Sequence, residues 1–198
     1  YEWEKKFHDR PFLRQPFGDQ WEEYTWAEVG QMARKLAAGL KSLGLRDDAH
    51  IGLISKNCRE WIIADLAIMM AGYVSVPFFP SLKGEELKYL LDFGDVDLLF
   101  VGKIETWDSI AGHIPEDFPM IRFPHYKGCT AVDRGDEWFD FINQHQPLKE
   151  PHIPKLSDLW TIIFTSGTTG NPKGVRLSYL TLDSTKIITE QVNPLKVD

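Results

Sequence analysis

At 198 residues, with 43% hydrophobic and 26% charged side chains, the sequence is long enough to fold around a core, and its net charge of -7 leaves no whole-surface positive field. A chain of this size buries roughly two-thirds of the surface it exposes when unfolded, and charges spread without long blocks exclude extended disorder. The acidic balance argues against a nucleic-acid track, so any phosphate ligand has to be held by a local site.

Trp3, Trp21 and Trp26 lie among charged residues near the start and read as packing residues at a domain edge. Thr25 followed by Glu28 fits a capping box, and Val29, Met32, Leu36, Leu40 and Leu43 then recur at helical spacing until Gly44. A short apolar strand follows at Ile51–Ile54, then a helix from about Arg59 to Ala71 and a strand from Tyr73 to Val76, which together form a βαβ unit. Trp61–Phe79 approaches the roughly 20 apolar residues of a membrane span, yet Asp65 sits inside it and Gly72 and Pro77 interrupt it. Helix plus buried strand is the reading those breakers favour.

Glu85–Phe93 gives a further helix, with Leu87, Leu90 and Leu91 on one side, and Asp97–Val101 a further strand. This alternation predicts an α/β fold, a helix-covered and largely parallel sheet. From Gly102 to Pro154 the pattern weakens to an irregular connection with a short helix near Thr106–Ala111, a strand at Met120–Phe123 and a helical turn at Glu137–Asn143. Pro147, Pro151 and Pro154 mark an extended connector. The organisation read from these signals is a βαβ-rich portion over 1–146, a connector over 147–159, and a strand, loop and helix over 160–198.

The strand Trp160–Phe164 runs straight into Thr165–Gly174, ten residues that hold three glycines, four hydroxyl side chains and one lysine. Gly167, Gly170 and Gly174 let the backbone approach a ligand without a Cβ in the way. Thr165, Ser166, Thr168 and Thr169 supply hydroxyl donors, and consecutive amides in such a turn form an anion-binding nest. Lys173 adds a point charge worth about 4 kcal/mol at about 4 Å from a phosphate charge near a protein surface. One lysine does not neutralise a triphosphate, so a divalent cation, most simply Mg2+, is implied, held through phosphate oxygens and waters. Pro172 before Lys173 and Gly174 after it exclude a Walker A loop. Val175–Leu177 reads as a returning strand.

Phe164–Val175 as a whole resembles the signature loop of the adenylate-forming superfamily, which includes acyl-CoA synthetases, the adenylation domains of peptide synthetases and firefly luciferase. Thr25–Gly44, Asn57–Trp61 and Gly72–Pro77 fit the same family, and Asp158–Gly174 looks most like fatty acyl-CoA synthetases. The resemblance implies the first part of a large N-terminal AMP-binding domain, with ATP and CoA as co-substrates and a fatty acid or other carboxylate as substrate. By that analogy Thr165, Ser166, Gly167, Thr168, Thr169, Gly170, Lys173 and Gly174 bind the nucleotide, and Lys173 and Thr165 act catalytically. The adenine and ribose sites and the C-terminal catalytic lysine would lie beyond Asp198, so this stretch alone is expected to be inactive. Tyr179 stands where the family commonly has a histidine.

An amino-acid-adenylating domain and a non-catalytic nucleotide-binding relative are the alternatives the residues leave open. The six histidines show no metal-site spacing, and the acidic run Asp133–Asp140 lacks a calcium-loop spacing and reads as a solvated turn. Cys58 and Cys129 form no disulfide framework, and no secretory leader pattern is present. A cytoplasmic protein without a transmembrane segment is the expectation; peripheral membrane contact and oligomeric state stay open.

Overall fold

The computed structural model describes residues 2–165 and 172–192. It opens with a short helix α1 (Glu2–Lys6) and an antiparallel hairpin, β1 (Pro11–Phe17) and β2 (Gln20–Thr25). Helix α2 (Trp26–Ser42) starts at the capping box: Thr25 Oγ1 accepts the Glu28 N–H at 3.2 Å, and the Glu28 carboxylate accepts the Thr25 N–H at 2.8 Å. The βαβ alternation follows as β3 (His50–Ile54), α3 (Arg59–Ala71), β4 (Val74–Phe78), α4 (Gly84–Phe93) and β5 (Val96–Val101). Helix α3 stops at Gly72, whose φ of 81° is left-handed and whose N–H returns to the carbonyls of Ile68 and Met69.

The remaining elements are α5 (Trp107–Ile110) with a 3-10 turn (Ala111–His113), β6 (Met120–Arg122), β7 (Asp136–Glu137), α6 (Trp138–Asn143), β8 (Leu159–Thr165), β9 (Lys173–Ser178) and α7 (Tyr179–Val192). The main sheet runs β7-β6-β5-β3-β4-β8-β9, parallel throughout except for the β8–β9 pair. The helix-covered, largely parallel α/β architecture expected from the alternation is therefore present.

Two cores sandwich this sheet. On one face α2, α3 and α6 cover Ile51, Leu53, Leu98 and Phe100; on the other α4 and α5 cover Ile54, Val76, Phe78, Leu99 and Phe164. Strands covered on both sides read as near-continuous apolar runs, which is why β3 and β5 stood out.

The 102–154 region is more regular than its composition suggests. The strand expected at Met120–Phe123 is β6, which pairs with β5, and the two-residue β7, too short to register as an apolar run, pairs with β6 in turn. Trp107 and Trp138, at 2% and 1% exposure, fill the ends of the two cores. Nor is the acidic run a bare solvated turn: Asp133 accepts the Trp107 indole N–H at 2.8 Å, and Glu137 accepts the N–H groups of Phe139 and Asp140 at the start of α6. The β1–β2 hairpin carried no strong period and went unread; on it Trp21 is 63% exposed rather than packed, while Trp26 stacks on Phe12 at 3.8 Å.

One charged network fastens that hairpin to the sheet layer. Arg59 and Glu60, in the first turn of α3, have side chains only 7% and 1% exposed and are joined at 3.0 Å. Arg59 also reaches Glu22 of β2 at 2.8 Å, and its guanidinium lies 4.1 Å from the Tyr24 ring centre. The Tyr126 hydroxyl donates to Glu60. Burial, and then the Glu60 carboxylate, hold that phenol far above its usual pKa. Beside it burial pushes the Cys58 thiol up to about 11.

Removing one partner of a buried charge pair strands the other, typically at a cost of about 3–5 kcal/mol, whereas losing a neutral donor to a buried acceptor costs about 1–3. Urea unfolding should accordingly show Glu60→Ala losing more stability than Tyr126→Phe, with both losses far above those of exposed-charge substitutions.

Candidate functional site: the β8–β9 turn

Strands β3, β4, β5, β6 and β8 all point the same way, so their C-terminal ends share one edge of the sheet. The chain leaves β3 for β4 on one side and then crosses back to β5 on the other. Ligands of such sheets sit outside the carboxyl ends of the strands, near this change of direction.

Strand β8 is seated against β4 by the Ser75–Thr161 pairing, in which Thr161 Oγ1 donates to the Ser75 carbonyl at 2.9 Å. Strand β9 returns antiparallel, with Thr165 opposite Lys173 and Phe164 opposite Gly174. Thr165 and Lys173 thus stand side by side, both exposed, at the C-terminal edge. Among the described residues no carboxylate lies within ion-pair distance of Lys173. Ser166, Gly167, Thr168, Thr169 and Gly170 lie outside the described residues. Gly174 is exposed and has Phe164 beneath it.

The same edge holds cations the sequence reading passed over. Lys56 pairs with Glu105 at 2.6 Å, and Lys103 donates to the Asn57 carbonyl at 2.9 Å. Each stands two residues beyond a buried strand, a signal available in the sequence. These bonds stitch the loops after β3 and β5 together and leave Lys173, exposed at the same edge, outside that stitching.

Tyr179 lies at the other end of the hairpin, about 20 Å along the strands from Thr165. Its N–H donates to the Asp158 carbonyl at 3.1 Å, and it lines a cavity of about 410 Å³ with Asp48, His50, His152, Asp158 and Arg176. Burial pushes its hydroxyl up to about 12, with the negative charges of Asp65 and Asp158 adding to the effect. Tyr179 therefore lies away from the Thr165–Lys173 pair.

The helix-covered parallel sheet, with a hydroxyl and an ammonium exposed side by side at its carboxyl edge, defines an open-sheet α/β domain of the class that takes ligands at that edge. Residues 1–192 match the family model described as AMP-binding enzyme. The chain belongs to that family. It is 27% identical over 187 residues to the Long-chain-fatty-acid--CoA ligase ACSBG2 of Rattus norvegicus, covering 88% of this chain and 28% of that protein. It is 28% identical over 165 residues to the Long chain acyl-CoA synthetase 4 of Arabidopsis thaliana, covering 78% of this chain and 25% of that protein. Among solved structures it is similar to the anthranilate CoA ligase AuaEII in complex with anthranoyl-AMP, with a TM-score of 0.77, 23% identity and coverage of 99% and 36% of the two chains. The Brucella canis acyl-CoA synthetase gives a TM-score of 0.76 at 18% identity, covering 92% and 33%. These two likenesses show the fold. The chain spans about a quarter of the length of the curated relatives it matches.

Asp65 of α3 is half-buried and takes a hydrogen bond from the Ser75 hydroxyl, but desolvation dominates and raises its pKa. A raised acid binds its proton more tightly when folded, so its contribution to stability is full in acid and is lost as pH rises through the raised value. Asp65→Asn should therefore raise the melting temperature at pH 7, by about 2–4 °C for each kcal/mol recovered. The gain should shrink towards zero below about pH 4, the unfolded-state pKa. A gain that is constant with pH would contradict this account.

Proposed function

We propose that the polypeptide carrying this chain is an AMP-forming acyl-CoA synthetase that activates a fatty acid. The carboxylate attacks the α-phosphate of ATP to give acyl-AMP and pyrophosphate, and the thiol of coenzyme A then displaces AMP. The observation that carries the reading is the exposed Thr165–Lys173 pair at the carboxyl edge of the sheet, closing the turn whose sequence resembles the family's phosphate loop. The names of the curated relatives, long-chain fatty acid ligases, support the substrate class.

In this reading Thr165, Ser166, Gly167, Thr168, Thr169, Gly170, Lys173 and Gly174 hold the β and γ phosphates. The described donors, an alcohol and an ammonium, suit phosphate oxygens rather than a bare metal ion. Mg2+, carried on the phosphates and waters, supplies the remaining positive charge. Lys173 and Thr165 meet the charge that grows as pyrophosphate leaves, and a preorganised donor of this kind is worth about 3 kcal/mol in rate. Residues 1–198 form the first part of the nucleotide domain, with 147–159 as the connector that delivers the chain to β8. Acting alone they make no acyl-AMP. The setting is cytoplasmic.

The test is ATP–pyrophosphate exchange by the full-length polypeptide with short, medium and long fatty acids and a set of amino acids. Exchange dependent on a fatty acid supports the reading; exchange dependent only on an amino acid, or none at all, overturns it. Lys173→Ala should slow exchange at least about tenfold with an unchanged melting temperature, because an exposed lysine contributes little to stability. Unaltered turnover would remove Lys173 from the mechanism.

A further inference from the structure

The ring of Phe164 lies beneath Gly174, one rung from the exposed Thr165–Lys173 pair. It is 7% exposed and lies parallel to Phe78 of β4, with ring centres 6.0 Å apart and planes 2° apart. Phe93 of α4 leans against it at 5.9 Å. Two glycines close the remaining sides: a Cβ on Gly94 would stand 3.1 Å from Phe164 Cζ, and one on Gly174 would stand 3.2 Å from Cε1. Both spacings are tighter than ordinary van der Waals contact, so a side chain at either glycine would press into the ring, which packs against bare backbone on both sides.

Gly174 is the ladder partner of Phe164, and the next rung is Thr165 with Lys173. The ring therefore reaches across β8 to the β9 backbone one residue from the lysine. We propose that Phe164 is a positioning residue for the nucleotide: wedged between the α4–β5 corner and Gly174, it fixes the separation and tilt of Thr165 and Lys173 at the mouth of the phosphate turn. The inference rests on the ATP reading above. An aromatic that merely filled the core would govern stability alone. A wedge governs in addition how the two exposed donors meet a polyphosphate, and small misplacements of such donors are costly.

The full-length polypeptide with Phe164→Leu, and separately with Phe93→Ala, should be titrated with a fluorescent N-methylanthraniloyl ATP and assayed by pyrophosphate exchange. Measurements belong at a temperature where circular dichroism shows each variant folded. Phe164→Leu should weaken analogue binding and raise the KM for ATP by at least about fivefold, with the KM for the fatty acid within twofold of wild type. Phe93 is 54% exposed, so its truncation leaves little cavity and keeps the test open if Phe164→Leu does not fold. Phe93→Ala should move the same nucleotide constants at least about twofold. A fall in melting temperature with unchanged nucleotide constants, or an equal rise in both KM values, overturns the proposal. Wild-type protein that binds the analogue but exchanges with no carboxylate overturns the ligase reading and leaves the wedge to be judged on binding. Wild-type protein that does not bind the analogue overturns both.

Discussion

Strand β3 is hydrogen-bonded to β4 on one edge and β5 on the other and is covered by apolar side chains on both faces, and the rest of the arrangement follows from that. Ile51 and Leu53 face the α3 side, and Ile54 the α4 side. Gly52 lies between them at a point where any side chain would collide: a Cβ there would stand 2.7 Å from Leu99 Cδ1 and 2.9 Å from Phe78 Cε2. A five-residue strand enclosed in this way has to be followed by a crossover on one face and then a crossover on the other. That sequence of crossings opens the loops at one edge and places the phosphate turn among them.

The two edges of the sheet have different chemistry. At the carboxyl edge the loop cations are satisfied by Glu105 and by backbone carbonyls, while the turn presents a hydroxyl and an ammonium to solvent. At the opposite edge Asp48, His50, His152, Asp158 and Arg176 surround a cavity beside the buried Tyr179. Charges of both signs meet there, and Asp158 also caps the connector by accepting the Lys155 N–H at 2.8 Å. Under β4 and β8 the α3-side core gives way to Asp65, Ser75 and Thr161, a polar strip whose hydroxyls all find partners.

Elements with a strong period or a run of branched residues were legible in the sequence. Helix α3 was read to its residue bounds, and β3, β5 and β8 to within a residue at either end, because burial on both faces writes itself as an apolar run. The chemistry of the turn was legible for another reason: glycine, hydroxyl and lysine together after a buried strand serve few purposes. What escaped reading depends on partners distant in sequence. Strand β7 is too short to show a pattern and exists because β6 offers an edge. The hairpin is held by Arg59, a charged residue whose burial no local pattern announces. Tyr179 stands where the family commonly has a histidine, yet its side chain lines the far cavity, since a sequence offset does not state which end of a hairpin a helix begins from.

The buried start of α3 has a chemical consequence. Burial pushes the Cys58 thiol up to about 11, so at neutral pH it is held as the thiol, and the thiolate is the form that reacts. The partly exposed Cys129 has no such protection from burial. Two thiols in one chain therefore divide into a surface handle and a silent one, and alkylation of Cys58 keeps time with the transient lifting of the hairpin away from Arg59: the slow appearance of a second adduct in a mass spectrum would be a clock for that local opening.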